Sequence, residues 1–161
     1  MHEHYDHPDH HDAELMLRLY ELRREEKLRE AREWFGTRFQ AESLPEFSKR
    51  FPPGSNENAY FRMVMSYWEM AASIVNHGLI NEAFFFESNN EFYGLWVQVK
   101  HLVGPAREMY KNPQLWSNLE TLSEKFEKWM TARAPDALAA FRERLAQMRA
   151  QIQGPRESAR N

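Results

Sequence analysis

The chain has 161 residues, no cysteine and a formal net charge of −3. That length suits one domain with a real core. Disulfides, thiolate catalysis and cysteine-bound zinc are excluded by composition, and the charge gives no electrostatic reason to expect nucleic acid as a partner. No apolar run reaches the roughly 18 residues that a membrane helix needs, so no span is predicted and a cytoplasmic protein is expected.

Residues 1–11, MHEHYDHPDHH, lack periodicity and read as a flexible arm. The segment is polar and acidic, unlike a secretory signal or a transit peptide. His2, His4, His7, His10 and His11 alternate there with Glu3, Asp6 and Asp9, and Asp12 follows. Imidazole and carboxylate together suit a divalent metal such as Zn²⁺, Ni²⁺ or Cu²⁺. A mobile arm supplies neither fixed geometry nor supporting hydrogen bonds, so a solvated tail is the competing reading.

Asp12 can cap a helix that begins Ala13-Glu14-Leu15. Leu15, Leu19 and Leu22 share a face, and Leu28, Ala31 and Phe35 follow out of phase. Either two helices meet at the intervening RREEK, or one long helix shows different faces to different neighbours. Gly36 suits the C-terminal cap. A short helix is predicted over about 43–51, with Ser43 and Glu46 at capping-box spacing and Pro45 in the first turn. Pro52-Pro53-Gly54-Ser55 ends it.

The helix over about 56–77 reads as the centre of the fold. Phe61, Val64, Met65, Trp68, Ala72 and Val75 make one apolar stripe, and Tyr60, Met63, Tyr67, Met70 and Ile74 make another. A helix apolar on most of its circumference must be surrounded by protein. Gly78 supplies its C-cap. Asn81 caps a short helix over 82–87, and Ser88 with Glu91 has capping-box spacing for the next. That helix carries Phe92, Leu95, Trp96, Val99, Leu102 and Val103, and Pro105 should kink or end it. Asn112-Pro113 resembles a cap followed by proline at the first helical position. Leu115, Leu119, Leu122, Phe126 and Trp129 form the next apolar face. Pro135 opens the last helix, where Leu138, Phe141, Leu145, Met148 and Ile152 make a narrow seam of coiled-coil type. Gly154-Pro155 stops it, and 154–161 reads as a disordered tail.

The sequence therefore predicts an all-α fold: a flexible arm, then one compact helical bundle over 12–153 with about six or seven helices. No catalytic or cofactor motif stands in it, and no cofactor is expected.

Residues from about 25 to 129 resemble an uncharacterised bacterial family of all-α domains, a domain of unknown function. The resemblance rests on LREARE at 28–33, YFRMVMSYWEM at 60–70, NHGLINEAF at 76–84, Trp96 followed by Pro105 and Arg107, and QLWSNLETL at 114–122. Members often carry a membrane helix ahead of this domain, and here a polar His-rich arm stands in its place. The resemblance implies the all-α fold and carries no activity with it.

Two groups of polar residues and one apolar set stand out besides the arm. Glu69 lies in the middle of the central helix, and burial there requires a partner. Arg32 and Arg107 are its natural choices, as a structural ion pair or as an anion-binding set. His77 and His101 suit capping or surface roles, since no acid or hydroxyl stands at relay spacing. Met63, Met65, Met70, Tyr67 and Trp68 pack as core or line an apolar ligand cavity.

Two functions follow. The first is a non-enzymatic interaction or regulatory module that self-associates as a homodimer, because the seam on 135–152 and the phase-shifted N-terminal helix both leave a face for a partner protein. The second is a small-molecule or metal-binding protein using a cavity near Trp68 or the His arm. A cavity lined by apolar and convergent polar groups would favour the second; a filled core with an external apolar stripe would favour the first.

Overall fold

The computed structural model describes residues 7–153. The predictions for His2, His4 and residues 154–161 lie outside that range. Among the described residues there are eight α-helices: α1 (His10–Arg23), α2 (Glu26–Arg38), α3 (Leu44–Arg50), α4 (Asn56–Asn76), α5 (Glu82–Ser88), α6 (Glu91–Tyr110), α7 (Ser117–Arg133) and α8 (Ala137–Gln153). The all-α class holds, and the count exceeds the predicted six or seven.

The additional helix comes from the phase break after Leu22. Glu25 turns out of the helical path, and its carboxylate accepts the N–H groups of Lys27 and Leu28, capping α2. Those hydrogen bonds hold the Glu25 carboxyl below the usual range. One chain segment thus becomes two helices with separate apolar faces. α1 also starts earlier than predicted. Asp9, not Asp12, is the N-cap, and Asp12 returns a bond to the Asp9 N–H in a capping box. His10 and His11 therefore belong to α1. Gly36 does not end α2, which runs on to Arg38.

Several local signals work as read. Ser43 caps α3 through the Glu46 N–H, and Asn81 caps α5 through the Phe84 N–H. At the end of α4, Gly78 takes φ +76°, where a side chain is disfavoured. Its N–H bonds Val75, and the Leu79 N–H bonds Ile74, which closes a Schellman motif. Pro105 does not end α6. Leu102, Val103 and Ala106 are buried on either side of it, and packing outweighs one lost backbone bond. Asn112-Pro113 does not open α7 either. Those residues form a turn, and α7 begins at Ser117.

α4 is the central helix, packed against α2 on one side and α7 on the other. Aromatic rings fill the core at both ends of the molecule. Trp34, Phe35, Phe39, Phe47, Phe51 and Phe61 interlock around α2, α3 and the start of α4. Phe85, Phe86, Phe92, Tyr93, Phe126 and Trp129 do so around α5, α6 and α7. Trp68 on α4 contacts Phe92 at the edge of the second cluster, with ring centroids 6.2 Å apart. No helix among the described residues is long and apolar enough to cross a membrane.

Candidate functional site: a groove beside Trp68

A groove of about 540 Å³ runs between α2, α4, α6 and α8. Its volume falls within the ordinary range for small-molecule sites. Each wall is a helical stripe. α2 contributes Arg29, Arg32, Glu33 and Gly36, residues that share a face at spacings of three and four. α6 contributes Asn90, Glu91, Gly94, Leu95 and Gln98, and α8 contributes Phe141, Arg144, Leu145 and Met148. Val64 and Trp68 of α4, with Phe35 of α2, complete the apolar part.

Two glycines shape the space. Gly36 lies in the last turns of α2, and a Cβ built there meets nothing within 4 Å. Packing therefore does not require a glycine at that position. Gly94 differs, because a Cβ there would stand 3.2 Å from Cζ of Phe141. Phe141 rests on the bare backbone of α6, and that close approach seats α8 as the outer wall. Arg142 fastens the same helix: its Nη2 donates to the Tyr93 hydroxyl at 2.8 Å and to Glu127 Oε1 at 2.9 Å. Farther along, Arg149 pairs with Glu42 at 3.2 Å.

The polar groups fall into committed and uncommitted sets. Arg32 donates to both oxygens of Glu91, at 2.8 and 2.6 Å, and to the Arg23 carbonyl at 3.0 Å. The bonds to Glu91 raise the Arg32 pKa further. Glu91 is consequently not the partner of Ser88 in a capping box; the N-cap of α6 is Asn90, which makes no side-chain cap bond. Arg29 and Arg144 are exposed at the mouth and pair with no carboxylate among the described residues. Trp68 is 1% exposed, and its indole N–H has no acceptor among the described residues. A buried donor without an acceptor costs about 1–3 kcal/mol.

The predicted grouping of Arg32, Glu69 and Arg107 does not form. Glu69 is partly buried and receives two backbone N–H groups, those of Asn118 at 3.1 Å and Leu119 at 2.8 Å. Arg107 donates to the Leu115 carbonyl at 2.9 Å and faces Glu120 at 3.4 Å. Glu69 and Arg107 both brace the start of α7, and only Arg32 borders the groove. The backbone N–H groups of a helix start satisfied the carboxylate, so no arginine was needed.

The histidines serve the fold. The His77 ring bonds the Ser73 carbonyl at 2.7 Å, near the end of α4, and His101 Nε2 bonds the Ala41 carbonyl at 2.7 Å. His7 and His11 border a polar hollow with Asp9, Asp12 and His77. No three or more His, Asp or Glu side chains among the described residues gather closely enough to hold a metal ion.

The profile of a family described as Domain of unknown function (DUF4760) matches residues 8–129. The chain belongs to that family. No curated relative and no solved structure matches it. Three walls of the groove, on α2, α4 and α6, thus lie inside the DUF4760 segment, and the α8 wall lies beyond it. Sequence reasoning placed Trp68 and Arg32 at candidate sites, read Gly36 only as a helix cap, and gave no site role to Arg29, Gly94 or Arg144. The spacings 29-32-33-36 and 141-144-145-148 put each set on one face of its helix, and only the tertiary fold shows that the two faces border one groove.

Proposed function

We propose that this protein is a binding module that holds a small, largely apolar molecule in the groove between α2, α4, α6 and α8. The observation that carries this reading is Gly36. Glycine costs a helix about 0.5–1 kcal/mol relative to alanine, and here no neighbour occupies the space that a Cβ would fill. The glycine leaves this stretch of the α2 wall without a side chain.

This reading takes precedence over self-association through α8. Leu138 and Phe141 of the α8 seam pack into the core of their own chain, and Leu145 and Met148 border the groove. The first half of the stripe is thus covered within one chain, and the second half, where Met148 is 43% exposed, is the part that this reading gives to the groove.

The test uses N-phenyl-1-naphthylamine, a neutral probe whose fluorescence rises in apolar sites. Saturable binding is expected for the natural sequence. Gly36→Trp should abolish it while circular dichroism stays helical, because the new side chain enters open space. Absence of binding to the natural sequence, or equal binding after Gly36→Trp, would overturn the reading.

A further inference from the structure

We infer that the ligand is a single-chain amphiphile with an anionic head, of the long-chain carboxylate class, and that Arg29 and Arg144 hold the head at the mouth of the groove. The inference rests on the groove being a ligand site, as proposed above.

The charge pattern decides the sign. Three arginines and two glutamates border the groove. Glu91 is committed to Arg32 through two short hydrogen bonds and also stands 3.9 Å from Arg23, which does not line the groove. Arg29, Arg144 and Glu33 remain, and none of them has a salt-bridge partner among the described residues. The mouth therefore carries one surplus positive charge, on a chain whose formal net charge is −3. The local sign opposes the global one, so general attraction of the protein for cations does not explain it.

The two cations stand on different helices of the groove. Arg29 stands on α2 and Arg144 on α8, on separate walls, and both are exposed. The same groove is lined by the apolar residues Phe35, Val64, Leu95 and Leu145. A polar head between two guanidinium groups and an apolar tail along those residues would satisfy both surfaces. Arginine forks match carboxylate geometry, and such charge-assisted bonds are about twice as strong as neutral ones. A cationic head would meet two guanidinium groups, and a neutral head would leave the fork bonds unused.

The experiment measures displacement of N-phenyl-1-naphthylamine from the full chain by dodecanoate, dodecanol and dodecylamine at one ionic strength. Dodecanoate should displace the probe at about tenfold lower concentration than dodecanol, the change expected from one added charge-assisted contact, and dodecylamine should be weakest. Arg29→Glu with Arg144→Glu should remove or reverse the carboxylate preference, read as the ratio of the dodecanoate and dodecanol concentrations that displace the probe from the same variant. Arg29→Gln with Arg144→Gln, a milder pair that guards against loss of folding, should move it in the same direction by less. If the probe binds but dodecanoate has no advantage, or keeps its advantage after charge reversal, the head-group inference is overturned and the groove reading stands. If the probe does not bind the natural sequence, the groove reading fails, and this inference with it.

Discussion

The carboxylate of Glu69, in the middle of α4, accepts the backbone N–H of Leu119 at the start of α7, at 2.8 Å. Its other oxygen takes the N–H of Asn118 at 3.1 Å. The residue at the N-cap position of α7 is Trp116, which adopts φ 57° and makes no side-chain cap bond. Glu69 therefore caps α7 from another helix. It satisfies two of the orphan N–H groups and places a negative charge at the positive end of the helix dipole.

Glu69→Ala should then cost about 1–2 kcal/mol, the magnitude of a lost helix cap. Glu69→Gln should cost less, since it keeps one acceptor and loses only the charge. Urea denaturation followed by circular dichroism reads both. An unchanged midpoint for Glu69→Ala would mean that water caps α7 equally well.

This contact shows where sequence reasoning reached its limit. Glu69 was legible as an acid that needed partners, because its helix is apolar on both sides; it was expected to be largely buried against an arginine and is half-buried. Its partners were backbone amides in a segment almost fifty residues later, with the bonds to Asn118 spanning 49 positions. Side-chain patterns do not announce a backbone donor. The central position of α4, the caps at Ser43 and Asn81 and the Gly78 turn were legible because each depends on a few neighbouring residues. The groove was not, because its stripes lie on α2, α6 and α8 and only the tertiary fold brings them together. The α8 seam was read as an apolar stripe, and its first two residues, Leu138 and Phe141, pack on the core of their own chain. Period alone does not distinguish a neighbouring chain from a neighbouring helix.

Trp68 is 1% exposed and contacts Tyr67 and Phe92 at ring-centroid distances of 4.9 and 6.2 Å. Trp68→Ala should destabilise the fold by about 3–5 kcal/mol, as for other large buried aromatics. Thermal or chemical unfolding reads the loss. A cost below about 1 kcal/mol would place the side chain outside the cooperative core.

Alkaline pH should unfold the protein through two tyrosines. Burial pushes Tyr67 from 10 up to about 12, and burial with a bond to Glu127 does the same for Tyr93. Both raised values favour the protonated phenol in the folded state. Their stabilisation is complete below pH 10, where folded and unfolded chains alike are protonated. Above pH 10 the unfolded state binds fewer protons than the folded one, so stability falls until about pH 12. Phenolate absorbance should show two of the six tyrosines ionising late, together with loss of helix. Ionisation of all six before any loss of helix would contradict this.

Two glycines on the same groove should respond oppositely to alanine. Both lie inside helices, where alanine is favoured by about 0.5–1 kcal/mol. At Gly36 the added methyl meets nothing within 4 Å, so Gly36→Ala should raise the melting temperature. At Gly94 it would stand 3.2 Å from Cζ of Phe141. That ring is also 5.7 Å from Tyr93 between centroids, so it has little room to retreat. The strain of an overpacked contact, about 1–3 kcal/mol, should cancel or exceed the helix gain, and Gly94→Ala should not stabilise. A double-mutant cycle separates the two contributions. In a Phe141→Ala background the obstruction is gone, and Gly94→Ala should become as favourable as Gly36→Ala. If Gly94→Ala stabilises the natural sequence as much as Gly36→Ala does, Phe141 does not bear on the backbone at Gly94, and α8 is not seated there.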